Sequence, residues 1–199
     1  KARFSDGSAV TAEDVKFSFD AYQTKSNPGL QMYLADLDKT EVLSRSAVKM
    51  SFKSDNNAEM PLILSQMPIY SKHDWQNRDF TRVTMQPILG SGPYLIDRID
   101  AGRSISYKRN PNYWGKDLPV NKGRYNFDRL KYVYYRSLDI AFEGFKSGQY
   151  TLHEEFTARK WVTEYHFPAV KTGMVVKYRF KHQNPIPTQS FVFNTRRTP

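Results

Sequence analysis

Apolar positions near the start of the chain recur at helical spacing. Val15, Phe19 and Tyr22 fall on one helical face. The preceding stretch, Thr11-Ala12-Glu13-Asp14, is typical of a helix start, because threonine can cap the first amides and acids suit the positive end of the helix dipole. Asn27-Pro28-Gly29 predicts the end of this helix.

A strand and a short second helix are predicted next. Residues 42–52 contain an alternation of apolar and polar positions that is typical of a strand. Residues 58–67 predict a short helix in which Leu62, Ile63 and Met67 face inward, and Pro61 suits its first turn.

The middle of the chain contains a hairpin. Residues 94–99 and 104–109 have strand patterns, and Asp100-Ala101-Gly102-Arg103 between them is typical of a hairpin turn. Asn110-Pro111-Asn112 predicts the end of the second strand.

Residues 129–154 predict a strand, a helix and a second strand. The first, over 129–136, is expected to be buried, and Ser137 is expected to cap a helix that Gly148 ends. With a strand over 150–154, this order predicts a βαβ unit with a parallel strand pair.

The rest of the chain adds one more helix and further strands. Thr157 is expected to cap the helix, residues 174–181 alternate like a half-buried strand, and Phe191-Val192-Phe193 begins another. The fold class predicted from these patterns is α/β with antiparallel additions.

Composition supports an ordinary globular protein. The 199 residues are 39% hydrophobic and 25% charged, and the aromatic share is 15%. The absence of cysteine excludes disulfides, thiol catalysis and cysteine-based zinc sites. The sequence contains no run of about 18 apolar residues, so it predicts no membrane-spanning helix.

The net charge of +10 is uneven. Residues 1–89 contain 11 basic and 11 acidic side chains, whereas residues 90–199 contain 19 basic and 9 acidic ones. This break predicts two structural units that meet near residues 75–90. A basic, aromatic second half also raises the alternative of a module that binds single-stranded nucleic acid, with Lys177, Arg179 and Lys181 on one strand face.

Local motifs indicate no specific phosphate-binding or metal-binding site. Gly90-Ser91-Gly92-Pro93-Tyr94 is a poor phosphate loop, because a hairpin follows it instead of a helix and proline removes an amide donor. The histidines have no metal-ligand spacing, so neither a metal nor a cofactor is expected. His153-Glu154-Glu155 is the densest titratable group, and either a solvated loop or a ligand site fits it. A hydrolase with Glu154 and Glu155 as paired carboxylates is a further alternative.

Several segments, in order, resemble one family. Residues 4–19 (FSDGSAVTAEDVKFSF), 90–94 (GSGPY), 109–114 (RNPNYW) and 145–151 (FKSGQYT) resemble signatures of the family 5 extracellular solute-binding proteins, the oligopeptide- and dipeptide-binding components of ABC importers. The FNTRRTP ending and the lysine- and tyrosine-rich detail resemble the YejA subgroup, which is associated with peptide and microcin C uptake. Gln149 and Thr151 depart from the family's usual acids.

The resemblance implies a fold and its divisions. The expected fold is periplasmic-binding-protein-like, of type II, with a mixed sheet, flanking helices and a small α+β extra domain. Residues 1–80 would belong to that extra domain, residues 81–183 to the main domain of the first lobe, and residues 184–199 to the start of a crossover. The chain would then be a piece of a longer protein with one lobe only, which by itself would bind peptide weakly or not at all.

The resemblance also implies site residues. The residues after the FKSGQYT motif, Glu154, Glu155 and Phe156, would face the peptide. Tyr33 and Gln66 are candidates from the small domain, and Ser190 and Val192 are candidates from the crossover. Relatives can have an acid at the position of Val192, so Glu154 and Glu155 would replace it as partners of a peptide amine.

The function implied is passive. The protein would be a monomer that is not an enzyme, located in the periplasm or, in a Gram-positive source, outside the cell at the membrane. It would capture peptides, including peptide antibiotics, and deliver them to the permease subunits of an ABC transporter.

Overall fold

A computed structural model describes residues 1–185, 190–191 and 196. The chain divides into two compact units, Lys1–Tyr134 and Tyr135–Pro199. The boundary between these units lies at residues 134/135. The domain boundaries at residues 80/81 and 183/184 stay predictions.

The first part of the first unit is a helical layer with a two-stranded sheet. The antiparallel strands β1 and β2 pair with Leu37 opposite Phe52 and Val42 opposite Val48. In chain order the elements are α1 (Ala12–Lys25), α2 (Pro28–Tyr33), β1 (Leu37–Ser44), β2 (Ala47–Phe52), α3 (Met60–Ser65) and α4 (Lys72–Trp75).

Helix α1 begins where the sequence predicts, and the Asp14 carboxylate accepts hydrogen bonds at its start. The backbone N–H and the hydroxyl of Thr11 both donate to the Asp14 carboxylate at 2.8 Å. The other carboxylate oxygen accepts from the backbone N–H of Lys72 at 2.9 Å. Asp14 is buried, so these bonds satisfy a carboxylate that would otherwise be costly to desolvate.

Of two predictions about the neighbouring helices, one is confirmed and the other is wrong in part. The predicted end of the first helix at Asn27-Pro28-Gly29 is confirmed, since α1 ends at Lys25. The Asn27 side chain also accepts from the Leu30 N–H and caps α2, a helix that the pattern did not predict. In α3 the buried residues are Met60 and Leu64, whereas Leu62 is 66% exposed. Met67, just after the helix, packs against the core as predicted. The register of a helix of six residues depends on its neighbours more than on its own pattern.

The core of this region lies between α1, α2, α3 and β1. Its six buried members are Phe19, Tyr22, Leu34, Leu37, Met60 and Leu64. The Tyr22 hydroxyl donates to the backbone carbonyl of Pro68 at 2.8 Å, so its polar end is satisfied at the edge of the core.

The rest of the first unit is a three-stranded antiparallel sheet in the order β3-β4-β5. Its strands are β3 (Tyr94–Asp100), β4 (Ser104–Arg109) and β5 (Arg129–Val133), and a 3-10 helix spans Pro119–Asn121. The predicted hairpin is confirmed, with Tyr94 opposite Arg109 and Asp100 opposite Ser104.

The regular elements among the described residues of the second unit are helices. It contains α5 (Leu138–Lys146), α6 (Ala158–Thr163) and α7 (Pro168–Lys171). The Ser137 side chain accepts from the Ile140 N–H and caps α5, as predicted. Gly148 follows α5 with φ +75, a left-handed conformation that favours glycine and ends the helix.

The predicted βαβ unit is wrong. Strand β5 is shorter than expected, it pairs antiparallel with β4, and none of its residues is buried. Residues 150–154 form no strand, since their backbone pairs with no strand among the described residues. The Tyr150 hydroxyl donates instead to the Ala141 carbonyl of α5.

The alternating stretch 174–181 is also not a strand. Its apolar residues Met174, Val176, Tyr178 and Phe180 are exposed. A strand forms only where a partner accepts its ladder of hydrogen bonds, and the described residues offer none here. Lys177, Arg179 and Lys181 therefore do not share the strand face that was predicted for nucleic-acid contact.

No helix within the described residues is long and apolar enough to cross a membrane.

Candidate ligand-binding site

The predicted site residues of the second unit follow α5, in an extended segment anchored by Tyr150. The Tyr150 hydroxyl donates to the backbone carbonyl of Ala141 at 2.7 Å, and its ring packs 5.5 Å from that of Phe145. Because that hydroxyl hydrogen is used on Ala141, Nδ1 of His153, at 2.8 Å, is the donor to the Tyr150 oxygen.

Glu155 faces inward and is fully engaged. Its side chain is 6% exposed, and Oε1 accepts from the backbone N–H of Thr157 at 2.8 Å. Oε2 accepts from the Tyr165 hydroxyl at 3.1 Å and lies 3.6 Å from Nε2 of His153. These contacts hold the segment in place, so the carboxylate serves the local structure.

The ionisation of Glu155 follows from opposing effects. Burial acts to raise its pKa, but the hydrogen bonds from Thr157 and Tyr165 and the nearby His153 outweigh it and lower the pKa below the usual value. Burial and the Glu155 charge together raise the pKa of Tyr165. Glu155 is therefore a carboxylate at neutral pH, and Tyr165 is a neutral donor to it.

Glu154 and Phe156 face the other way. Both are exposed, Phe156 by 79%, and Leu152 is exposed as well. Within the described part of the chain, the Glu154 side chain has no hydrogen-bond or ion-pair partner. Alternate residues of an extended segment point to opposite sides, which separates the predicted pair into one free carboxylate and one engaged carboxylate.

The other predicted site residues lie elsewhere. Tyr33 ends α2 and is half-exposed, and Gln66 follows α3, where its Nε2 donates to the Leu62 carbonyl at 3.2 Å. In sequence, Tyr33 directly precedes Leu34 and Gln66 comes two residues after Leu64, and both leucines are members of the first unit's core. Ser190 is exposed, and Val192 lies outside the described residues.

Sequence reasoning missed the part that Tyr150 and Tyr165 play. The signal was the aromatic density of residues 142–167, where the rings of Phe142 and Tyr165 lie 5.1 Å apart. Among the described residues, no group of His, Asp and Glu side chains is arranged to hold a metal ion.

Comparison with known proteins now decides the family. The sequence profile of the bacterial extracellular solute-binding proteins, family 5 Middle, matches residues 1–199. The chain belongs to this family. Solute-binding proteins of family 5 are binding components and not enzymes, which agrees with the expected lack of catalysis and leaves the hydrolase alternative unsupported.

Two relatives come from Agrobacterium fabrum (strain C58). "Probable peptide-binding protein YejA" is 39% identical over 205 residues, covering 98% of this chain and 33% of that protein. "Peptidoglycan-binding protein YepA" is 37% identical over 205 residues, covering 99% of this chain and 33% of that protein. The family 5 chain described here thus spans about a third of the length of these relatives.

A solved structure shows the fold. The mannohexaose-bound periplasmic oligopeptide-binding protein of an ABC transporter from Thermotoga maritima superposes with a TM-score of 0.67. It is 22% identical, and the match covers 83% of this chain and 31% of that one. The predicted fold class, a part of a type II periplasmic-binding-protein fold, is therefore confirmed, although the sheets within the described residues are antiparallel.

Proposed function

We propose that the protein containing this chain is the substrate-binding component of an ABC transporter that captures peptides, including peptide antibiotics. The observation that carries the proposal is membership of family 5, together with 39% identity to a relative named as a peptide-binding protein. The protein would act in the periplasm, or outside the cell at the membrane in a Gram-positive source. It would act as a monomer that delivers its ligand to the permease subunits.

Within this function, Glu154 is the carboxylate that contacts the ligand and Glu155 is the one that positions it. An exposed carboxylate without a partner is free to pair with a peptide amine or a basic side chain. Glu155, held by Thr157, Tyr165 and His153, fixes the extended segment from which Glu154 and Phe156 project. Phe156 adds an exposed ring next to the charge.

Affinity measurements on the full-length protein test these roles. Glu154→Gln is expected to weaken peptide binding about tenfold, the loss of one charge-assisted hydrogen bond. The matched control is Asp38→Asn, which neutralises another exposed carboxylate without a side-chain partner in the described part of the chain. Equal affinity of Glu154→Gln and the wild type would remove Glu154 from the site.

The ligand itself is tested separately. Mass spectrometry of the material retained by the purified full-length protein is expected to find peptides. A glycan without any peptide would overturn the peptide assignment and leave a solute-binding role. Binding of single-stranded DNA in place of any small solute would overturn both and favour the nucleic-acid alternative.

A further inference from the structure

A basic pocket lies at one end of the three-stranded sheet in the first unit. Strand β3 begins there, β4 ends there and β5 begins there, since Tyr94 is opposite Arg109 and Lys108 is opposite Arg129. The pocket has a volume of about 340 Å³. Besides Pro93, the lining residues lie at the end of β4 and in two loops that follow it, a first loop of residues 110–118 and a second loop of residues 119–128. They are Arg109, Asn110, Pro111, Tyr113, Lys116, Asn121, Lys122, Gly123, Arg124 and Tyr125.

Hydrogen bonds from both loops hold this pocket open. The Asn121 side chain donates to the Gly115 carbonyl at 2.8 Å, which joins the two loops. The Tyr94 hydroxyl donates to the Phe127 carbonyl at 2.8 Å, which ties the second loop to β3. At Gly115 a Cβ atom would lie 2.7 Å from the Tyr113 ring, so glycine allows that ring its place in the wall.

The lining contains four cations and no carboxylate. Arg109 is paired with Asp128, which neutralises it. Lys116, Lys122 and Arg124 have no ion-pair or side-chain hydrogen-bond partner among the described residues. Three uncompensated positive charges around one concave surface repel each other and focus a positive potential into it.

The backbone adds donors to the same wall. Gly123 has φ +76 and Tyr125 has φ +58, so two left-handed residues flank Arg124. The backbone N–H groups of Gly123 and Tyr125 donate to no acceptor in the part of the chain that the structure describes. Free amides in a turn of this kind are a common way for proteins to bind anions.

We propose that this pocket binds a phosphate-bearing anion. The cations supply the charge, the free amides supply directed donors, and the volume lies in the range of small-molecule sites. The phosphate belongs either to a soluble anion such as pyrophosphate or to the headgroup of an anionic lipid. One wall of the binding site is then formed by Asn110, Pro111 and Tyr113. The sequence marked their stretch only as the end of a strand and a family signature.

The test uses the full chain and three neutralising substitutions, Lys116→Gln, Lys122→Gln and Arg124→Gln. Wild-type protein is expected to bind inorganic pyrophosphate in calorimetry or to be retained on phosphatidylglycerol vesicles, and not on phosphatidylcholine vesicles. The triple variant is expected to lose about tenfold or more in affinity. The single Lys122→Gln variant serves as a milder test if the triple variant unfolds.

A second triple variant removes the same charge elsewhere. Arg98→Gln, Arg103→Gln and Lys131→Gln alter exposed side chains of the same sheet that have no side-chain partner among the described residues. It is expected to retain binding to within about twofold once salt screens long-range charge.

The outcomes are distinct. Pyrophosphate binding without vesicle retention identifies a soluble anion, and vesicle retention without pyrophosphate binding identifies a lipid headgroup. Absence of both, or an equal loss in the two triple variants, overturns the proposal.

Discussion

The core around α1 and the cluster around α5 both bury aromatic rings, but the residues that surround the rings differ in polarity. Phe19 lies in a core with Tyr22, Leu34 and Leu37. The hydroxyl of Tyr22 donates to a neutral backbone carbonyl, that of Pro68. Phe142 lies among His153 and Tyr165, with the ammonium of Lys160 5.4 Å from its ring. The core around α1 therefore depends on apolar burial, and the buried carboxylate of Asp14 is not a member of that core. The cluster around α5 also depends on which of its groups are charged.

The largest expected effect is common to both regions. Phe19 and Phe142 are each 1% exposed, so Phe19→Ala and Phe142→Ala should each lower the free energy of unfolding by about 3–5 kcal/mol. Urea denaturation measures this. Leu43→Ala, at a residue that is 64% exposed, is the control and should change stability little. A small loss for Phe142→Ala alone would show that its polar neighbours, and not the ring, hold the second region.

Two tyrosine hydroxyls sharpen the comparison. The Tyr22 hydroxyl donates to a neutral carbonyl, and the Tyr165 hydroxyl donates to the Glu155 carboxylate. Tyr165→Phe should cost about 2 kcal/mol and Tyr22→Phe about 1 kcal/mol, because bonds to charged groups are stronger and the acceptor left behind is costlier to bury. Thermal unfolding monitored by circular dichroism ranks the two. The reverse order would contradict the contrast between the regions.

The smallest effect concerns pH. Glu155→Gln should cost about 1 kcal/mol at neutral pH, because the charge-assisted hydrogen bonds weaken. The pKa of Glu155 is lowered in the folded protein, so its stabilising effect is present above the pKa of the unfolded chain and disappears as pH falls through the folded value. The difference between wild type and variant should therefore shrink in acid.

Denaturation at a series of pH values measures this difference. Asp38→Asn, which changes an exposed carboxylate of β1 that has no side-chain partner among the described residues, is the control for general acid effects. A difference that stays constant down to pH values well below the usual glutamate pKa would mean that Glu155 acts through its shape and not its charge.

The sequence by itself determined the elements whose cause is local. Thr11 and Asp14 start α1, Ser137 caps α5, Gly148 ends it, and the turn after Asp100 forms the hairpin. Each depends on a cap or turn within a few residues, so the pattern contains all the information needed. The family signatures were also legible in order along the chain.

Only the tertiary structure decided pairing and direction. Residues 150–154 and 174–181 have strand patterns, but a strand needs a partner ladder, and β5 pairs with β4 instead of a parallel neighbour. Glu154 and Glu155 are indistinguishable in sequence. Contacts with Tyr165 and Thr157 turn Glu155 inward and leave Glu154 exposed, since the side of an extended segment that is buried depends on what packs against it.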